Sequence, residues 1–231
     1  CGRIGDPRAV ETRYEVHDTQ LDAVDERAER EARRLSDRLV EVVESAVPEG
    51  ERASVHNRSG TAFYDWQRYG LAEEQDEAAL DVDDRNPVSH NNYAILSHEE
   101  LDDPEQAQYH YERAVEIDPE YAKAHNNYAL FLQEDLGDPE LARHHYERAL
   151  DIDPEHAKAH NNYATLLGNE LDDPERAQHH YERALDIDPE HAKAHNNYAF
   201  FLRNELDDAE RAQHYYERAV EIDPEYAKAH N

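Results

Sequence analysis

HNNYATLLGNELDDPERAQHHYERALDIDPEHAKA, residues 160–194, is followed at His195 by HNNYA again, and the same five residues also begin at His90 and His125. His230-Asn231 opens a further copy, so the spacing is 35 residues throughout. Each copy carries a second fixed block, YERAL or YERAV, followed by an acidic residue, Ile and Asp-Pro-Glu, as in Tyr181 to Glu190. Residues 90–231 thus hold four full units and the start of another. Self-similarity at a period of roughly 20 to 50 residues is the mark of stacked supersecondary units, each burying its apolar face only against its neighbours.

Within a unit the helix signals come in pairs. Asp153-Pro154 predicts a first helix running to about Glu170, with Asp capping the free amides and Pro where its missing N–H costs nothing. Asp173-Pro174-Glu175 opens a second helix ending near Ile187, and Asp188-Pro189 restarts the cycle; in the last copy Ala209 replaces this Pro. Each unit therefore reads as a helical hairpin. Upstream, residues 51–89 have the same rough length, with His56-Asn57 and an aromatic-rich stretch through Phe63, Tyr64 and Trp66, and read as a degenerate first unit. In residues 1–50, the stretch 8–47 lacks both Gly and Pro. Leu21, Val24, Ala28, Ala32, Leu35, Leu39, Val42 and Ala46 recur there at intervals of three and four, which predicts one long amphipathic helix. It is either a cap on the first repeat or a coiled-coil arm.

The order Tyr163-Ala164, Leu167, Ala177, Tyr181, Ala184 and Pro189 resembles the small/large packing signature of tetratricopeptide repeats. The resemblance implies an all-α fold, a right-handed α-solenoid of tandem hairpins behind the long N-terminal helix. The family's usual unit is one residue shorter. The extra residue falls around Leu171-Asp172-Asp173, and His160 stands where the family often has Trp.

Composition agrees with helices. Only 38% of residues are hydrophobic and Gly is scarce at 7, which disfavours a compact sheet-based domain. Asp+Glu at 55 against Lys+Arg at 24 gives a net charge of −31, a field that repels nucleic acid and anionic membrane surfaces. The chain has four lysines, Lys123, Lys158, Lys193 and Lys228. Acid-rich, lysine-poor composition resembles that of salt-in halophiles, the expected source. The single cysteine, Cys1, excludes an internal disulfide framework and every multi-cysteine metal site. An N-terminal Cys resembles a mature lipoprotein, giving a cell-surface anchor as one expectation; a fragment boundary, with a cytoplasmic protein, is the other. No apolar run reaches the ~18 residues of a membrane span.

Histidine is abundant at 16, inviting a metal reading, but the copies oppose it. Tyr109 holds the column of His144, and Tyr215 that of His180. A planar packing residue survives such exchange and a ligand does not, so no metal and no cofactor is expected. Nor is there a Gly-rich phosphate loop, an HExxH pair or a nucleophile elbow, so no catalytic residue is expected and the protein is not read as an enzyme.

The asparagines carry more. Asn91-Asn92, Asn126-Asn127, Asn161-Asn162 and Asn196-Asn197 lie inside predicted helices, where Asn is a poor choice. By resemblance Asn92, Asn127, Asn162 and Asn197 match the asparagine ladder with which several family members hold a peptide backbone on the concave surface; the alternative is that these side chains bond neighbouring helices. Lys123, Lys158 and Lys193 share that predicted stripe and would favour a partner with carboxylates. Further along it the copies differ, as Ile95, Leu130, Thr165 and Phe200, and as His98, Gln133, Gly168 and Arg203. That pattern fits either selection for one ligand or surface drift. The expected function is a scaffold binding an extended peptide or partner protein in a concave groove. Two alternatives stay open: a self-assembly module stacking end to end, and a regulatory arm of a larger protein.

Overall fold

The computed structural model describes the backbone of residues 7–224 and the side chains of residues 27–224. Among the described residues there are eleven helices and no strand, divided between two compact units, residues 1–84 and 85–231. Leu21, Val24, Cys1 and Lys228, named above, lie outside the described side chains.

In the first unit, α1 (Pro7–Ala46) runs beside a hairpin of α2 (Glu49–Asp65) and α3 (Tyr69–Val82). Gln75 of α3 donates to Ser36 of α1 at 3.1 Å, and Arg68 pairs with Glu29 at 2.9 Å. Over residues 27–46 the face α1 buries matches the predicted stripe only in part, at Ala32 and at the half-buried Leu39. Ala32, Ser36 and Val43 are buried, while Leu35 and Val42 of the stripe are exposed, and so are Ala28 and Ala46. Where the hairpin sits, and its hydrogen bond to Ser36, select a face rotated away from the most apolar one.

The second unit is four hairpins: α4 (Pro87–Glu99) with α5 (Pro104–Ile117), α6 (Ala122–Glu134) with α7 (Pro139–Ile152), α8 (Ala157–Asn169) with α9 (Pro174–Ile187), and α10 (Ala192–Asn204) with α11 (Ala209–Ile222). The second helices start where the sequence places them. Asp103, Asp138, Asp173 and Asp208 each accept a backbone N–H three residues on, at 3.0–3.1 Å. The first helices start later than predicted, at Ala157 rather than after Pro154. Asp153 instead closes α7, donating its N–H to Ala149 at 2.9 Å, and its carboxylate accepts the Glu155 N–H at 3.1 Å. A residue before proline is driven away from helical torsions, so Asp-Pro-Glu makes a turn here.

The extra residue of each unit is explained by Asp102, Gly137, Asp172 and Asp207, all with φ between 50° and 60°. Such left-handed residues end a helix by turning the next N–H groups back onto its last carbonyls. After α8, Leu171 donates to Leu166 and Asp173 to Leu167, at 3.2 and 2.9 Å.

Tyr128, Tyr163, Ala177, Tyr181 and Ala184, the side chains expected between helices, are all buried. Alanines let paired helices approach closely, and tyrosines join successive hairpins by stacking: Tyr111 on Tyr128, Tyr146 on Tyr163 and Tyr181 on Tyr198, with centroids 5.3–5.8 Å apart. First helices of successive hairpins touch, α4 with α6, α6 with α8 and α8 with α10, whereas no two second helices make contact of similar extent. The stack therefore curves with its first helices on the inner side.

Candidate partner-binding site

The inner face is built on α4, α6, α8 and α10, and its asparagines are bonded to each other. Asn127 donates to Asn91 at 3.0 Å, Asn162 to Asn126 at 3.2 Å and Asn197 to Asn161 at 3.2 Å, each reaching from one hairpin to the preceding one. Within pairs, Asn126 donates to Asn127 and Asn161 to Asn162, both at 3.1 Å. A continuous run of carboxamides thus stitches the first helices together. Asn91, Asn126 and Asn161 are buried and withdraw from the ligand-facing set expected from sequence. Asn92, Asn127, Asn162, Asn196 and Asn197 are half-buried. A carboxamide has two N–H donors, so Asn127, Asn162 and Asn197 each keep one beyond the bond to the neighbouring hairpin.

The divergent positions have mates in the next hairpin. His98 stands edge-on to Phe131 at 5.2 Å and lies 2.8 Å from Asp135. Gln133 donates to Glu170 at 2.6 Å and accepts from Tyr146 at 3.3 Å. Gly168 leaves room for the buried Phe201 ring: a Cβ there would meet its Cδ2 at 3.0 Å. Three of the four members of this column thus meet a side chain of the following hairpin. One turn earlier, Ile95, Leu130 and Thr165 are half-buried, and Thr165 bonds to Tyr181 at 3.1 Å. Phe200 is 53% exposed.

Lys123, Lys158 and Lys193 are exposed at the second position of α6, α8 and α10. A cation there opposes the helix dipole by about 0.3–1 kcal/mol. Among the described residues none of the three makes an ion pair, although the second helices carry a regular set: Arg148 with Glu120, Arg183 with Glu155 at 3.0 Å, Arg218 with Glu190 at 3.4 Å. His156 lies between Lys123 and Lys158, and His191 between Lys158 and Lys193. Burial first, and then these lysine charges, hold both imidazoles below their ordinary range, against the pull of Asp153 and Asp188. The three lysines thus form a row along the N-terminal edge of the inner face, with Asp153 and Asp188 close by.

Sequence profiles of the tetratricopeptide repeat match residues 89–121, 120–190 and 180–214. The chain belongs to the tetratricopeptide repeat family. No curated protein is significantly similar to it in sequence. Among solved structures, pilF of Pseudomonas aeruginosa superposes with a TM-score of 0.67 at 21% identity over 75% of this chain and 78% of its own. TTC0263, a thermophilic tetratricopeptide protein of Thermus thermophilus, gives 0.64 at 19% over 74% and 92%. YrrB, described as having an unusual peptide-binding site, gives 0.55 at 18% over 80% and 92%. At these identities the likeness is one of fold.

This tetratricopeptide array also holds a feature that reading the columns singly missed. His90 and His110, His125 and His145, and His160 and His180 meet Nδ1 to Nδ1 at 2.8, 2.9 and 2.8 Å across their hairpins. The constant spacing of 20 residues between the partners was the available signal. Among the described residues no group of three or more His, Cys, Asp or Glu side chains is arranged to hold a metal ion, and no helix is long and apolar enough to cross a membrane.

Proposed function

We propose that the tetratricopeptide array is a protein-interaction scaffold, without catalysis of its own, that holds an extended, carboxylate-bearing segment of a partner protein along the row of Lys123, Lys158 and Lys193. The carrying observation is that three lysines recur without an ion pair among the described residues, in the first turn of a helix where a cation is disfavoured, in a chain whose other charges are mostly acidic. A partner carboxylate would pair with the ammonium groups at the positively polarised N-terminal ends of these helices. Asn127, Asn162 and Asn197 contribute their remaining N–H groups to the partner backbone, and Phe200 an apolar contact. The peptide-binding site named for YrrB supports such use of this fold.

Fluorescence anisotropy of a labelled glutamate-rich peptide, against the same peptide with Gln for Glu, tests the reading. Replacing Lys123, Lys158 and Lys193 by Gln is expected to weaken the acidic peptide and leave the neutral one unchanged, with the difference shrinking as salt rises, because exposed charges are screened beyond about 3 Å at molar ionic strength. Equal binding of both peptides by both proteins would end it.

A second reading rests on the outer face of the last hairpin. Arg203, Ala209, Ala212, Tyr216 and Val220 line a groove of about 710 Å³. Tyr216 holds the column of Tyr111, Tyr146 and Tyr181, which stack on the following hairpin, so this face suits another repeat helix, such as one from a second copy. Sedimentation showing a monomer at all concentrations, in high and low salt, would dismiss self-assembly.

A further inference from the structure

The three imidazole pairs form a periodic array, buried except for the half-buried His180, that is independent of the lysine row. In the second and third pairs the protons can be placed. His125 and His160 direct Nε2 at the carbonyls of Pro119 and Pro154, at 3.2 and 3.1 Å, and a ring nitrogen facing a carbonyl must carry its proton. In the neutral ring Nδ1 is then bare and accepts from the Nδ1–H of His145 or His180. Each pair is complete only with both rings neutral or with one extra proton on the outer Nε2 of His145 or His180. A second proton would set two N–H groups head-on across 2.8–2.9 Å.

We propose that the histidine pairs are acid-sensitive latches: neutral pairs hold the hairpins α4/α5, α6/α7 and α8/α9 closed, a first proton weakens the fold by charging an imidazole withdrawn from water, and a second breaks the bond and releases the hairpin. Burial and neighbouring rings and cations oppose protonation, against the pull of a few carboxylates and of the Pro119 and Pro154 carbonyls. His145 lies against the tilted ring of Tyr128 at 4.7 Å, and His144 of α7 lies edge-on at 5.5 Å. Arg148 of α7 adds positive charge beside His125, answered by Glu120 of the preceding turn. The third pair repeats this with Tyr163, His179 and Arg183, opposed by Glu155, and adds Arg176 and Glu147 near His180. The first pair has Tyr93 and Tyr109 against His110. Burial, reinforced by the partner imidazole, takes His110, His145 and His180 down to about 4.

The flanking hairpins lack the latch. His56 bonds Gln75 at 2.9 Å in the first unit, and His195 faces Tyr215 with its Nδ1 buried and unpartnered. In the first unit Gln75 accepts from the His56 Nδ1–H through its amide oxygen, since its amide nitrogen donates to Ser36. A glutamine with its amide turned the other way donates to a bare Nδ1 without titrating, so Gln fits the partner position in either sense.

These groups bind protons more weakly folded than unfolded, so stability is fully present above the ordinary histidine value of about 6.5 and is lost as pH falls toward about 4. The test is urea unfolding of the full chain, followed by circular dichroism from about pH 7.5 to about pH 5, for the wild type and for His110→Gln/His145→Gln/His180→Gln. The wild-type unfolding constant should rise on acidification by roughly tenfold to thirtyfold per pair relative to the variant. Carboxylate titration is common to both proteins and cancels in the comparison. Parallel curves would overturn the proposal. If the triple variant does not fold, single His145→Gln and nitrogen-15 spectra of the wild-type imidazoles decide: a bare Nδ1 on His125 and proton uptake only near pH 4 support the latch, and titration near about pH 6.5 refutes it.

Discussion

Replacing Asn127, Asn162 and Asn197 together by Ala is the perturbation that separates a structural asparagine run from a free peptide ladder. It removes the three bonds between hairpins and the two within the asparagine pairs. At about 1 kcal/mol each the loss is about 5 kcal/mol, and it leaves the buried carboxamides of Asn91, Asn126 and Asn161 short of partners. Against this, Ala favours a helix over Asn by about 0.6 kcal/mol per site, so the net destabilisation is about 3 kcal/mol. In a chain of this size that lowers the melting temperature by roughly 6–12 °C. Urea denaturation and calorimetry measure it. The single variants grade the effect: Asn162→Ala loses two bonds, whereas Asn197→Ala loses only the one to Asn161 and should be nearly neutral. A triple variant as stable as the wild type, or stabilised by the helix preference of Ala alone, would refute the stitching role and return these carboxamides to a ligand.

Ala177→Glu places a charge at a fully buried contact of α8 and α9 and should cost several kcal/mol, seen as loss of the cooperative melt; a mild effect would refute the packing register. Asp172→Gly relieves a left-handed aspartate where the second hairpin already uses Gly137, and should raise stability by up to about 1 kcal/mol in thermal unfolding. Burial pushes the Asp76 carboxyl up to about 8, so its contribution is intact below about pH 4 and lost as pH rises through about 8. Asp76→Asn should therefore gain over the wild type progressively across that range, and a pH-independent difference would contradict it. With a net charge of −31, helical content by circular dichroism should rise from millimolar to molar salt; a flat response would exclude salt adaptation.

The sequence alone determined what repeats within one unit. Copies in register exposed the period, the hairpins, the Asp-Pro caps of the second helices and the buried Tyr and Ala columns, because these depend on local capping and on a helical spacing that every copy restates. The lysine column was legible as a column, but its place in the first turn was not, because that depends on where the first helix starts. Tertiary structure decided whatever depends on a partner far along the chain. Asp153-Pro154 reads as a helix start, but the closing bond from Asp153 to Ala149 makes it a turn. Asn126 reads as exposed until α8 brings Asn162 against it. Gly168 reads as a variable surface position until Phe201 fills its space. The stripe on α1 was rotated by the hairpin beneath it. The histidine pairs followed the same rule: each imidazole is an ordinary half of a column, and only the crossing of two helices sets one Nδ1 against another and makes protonation costly.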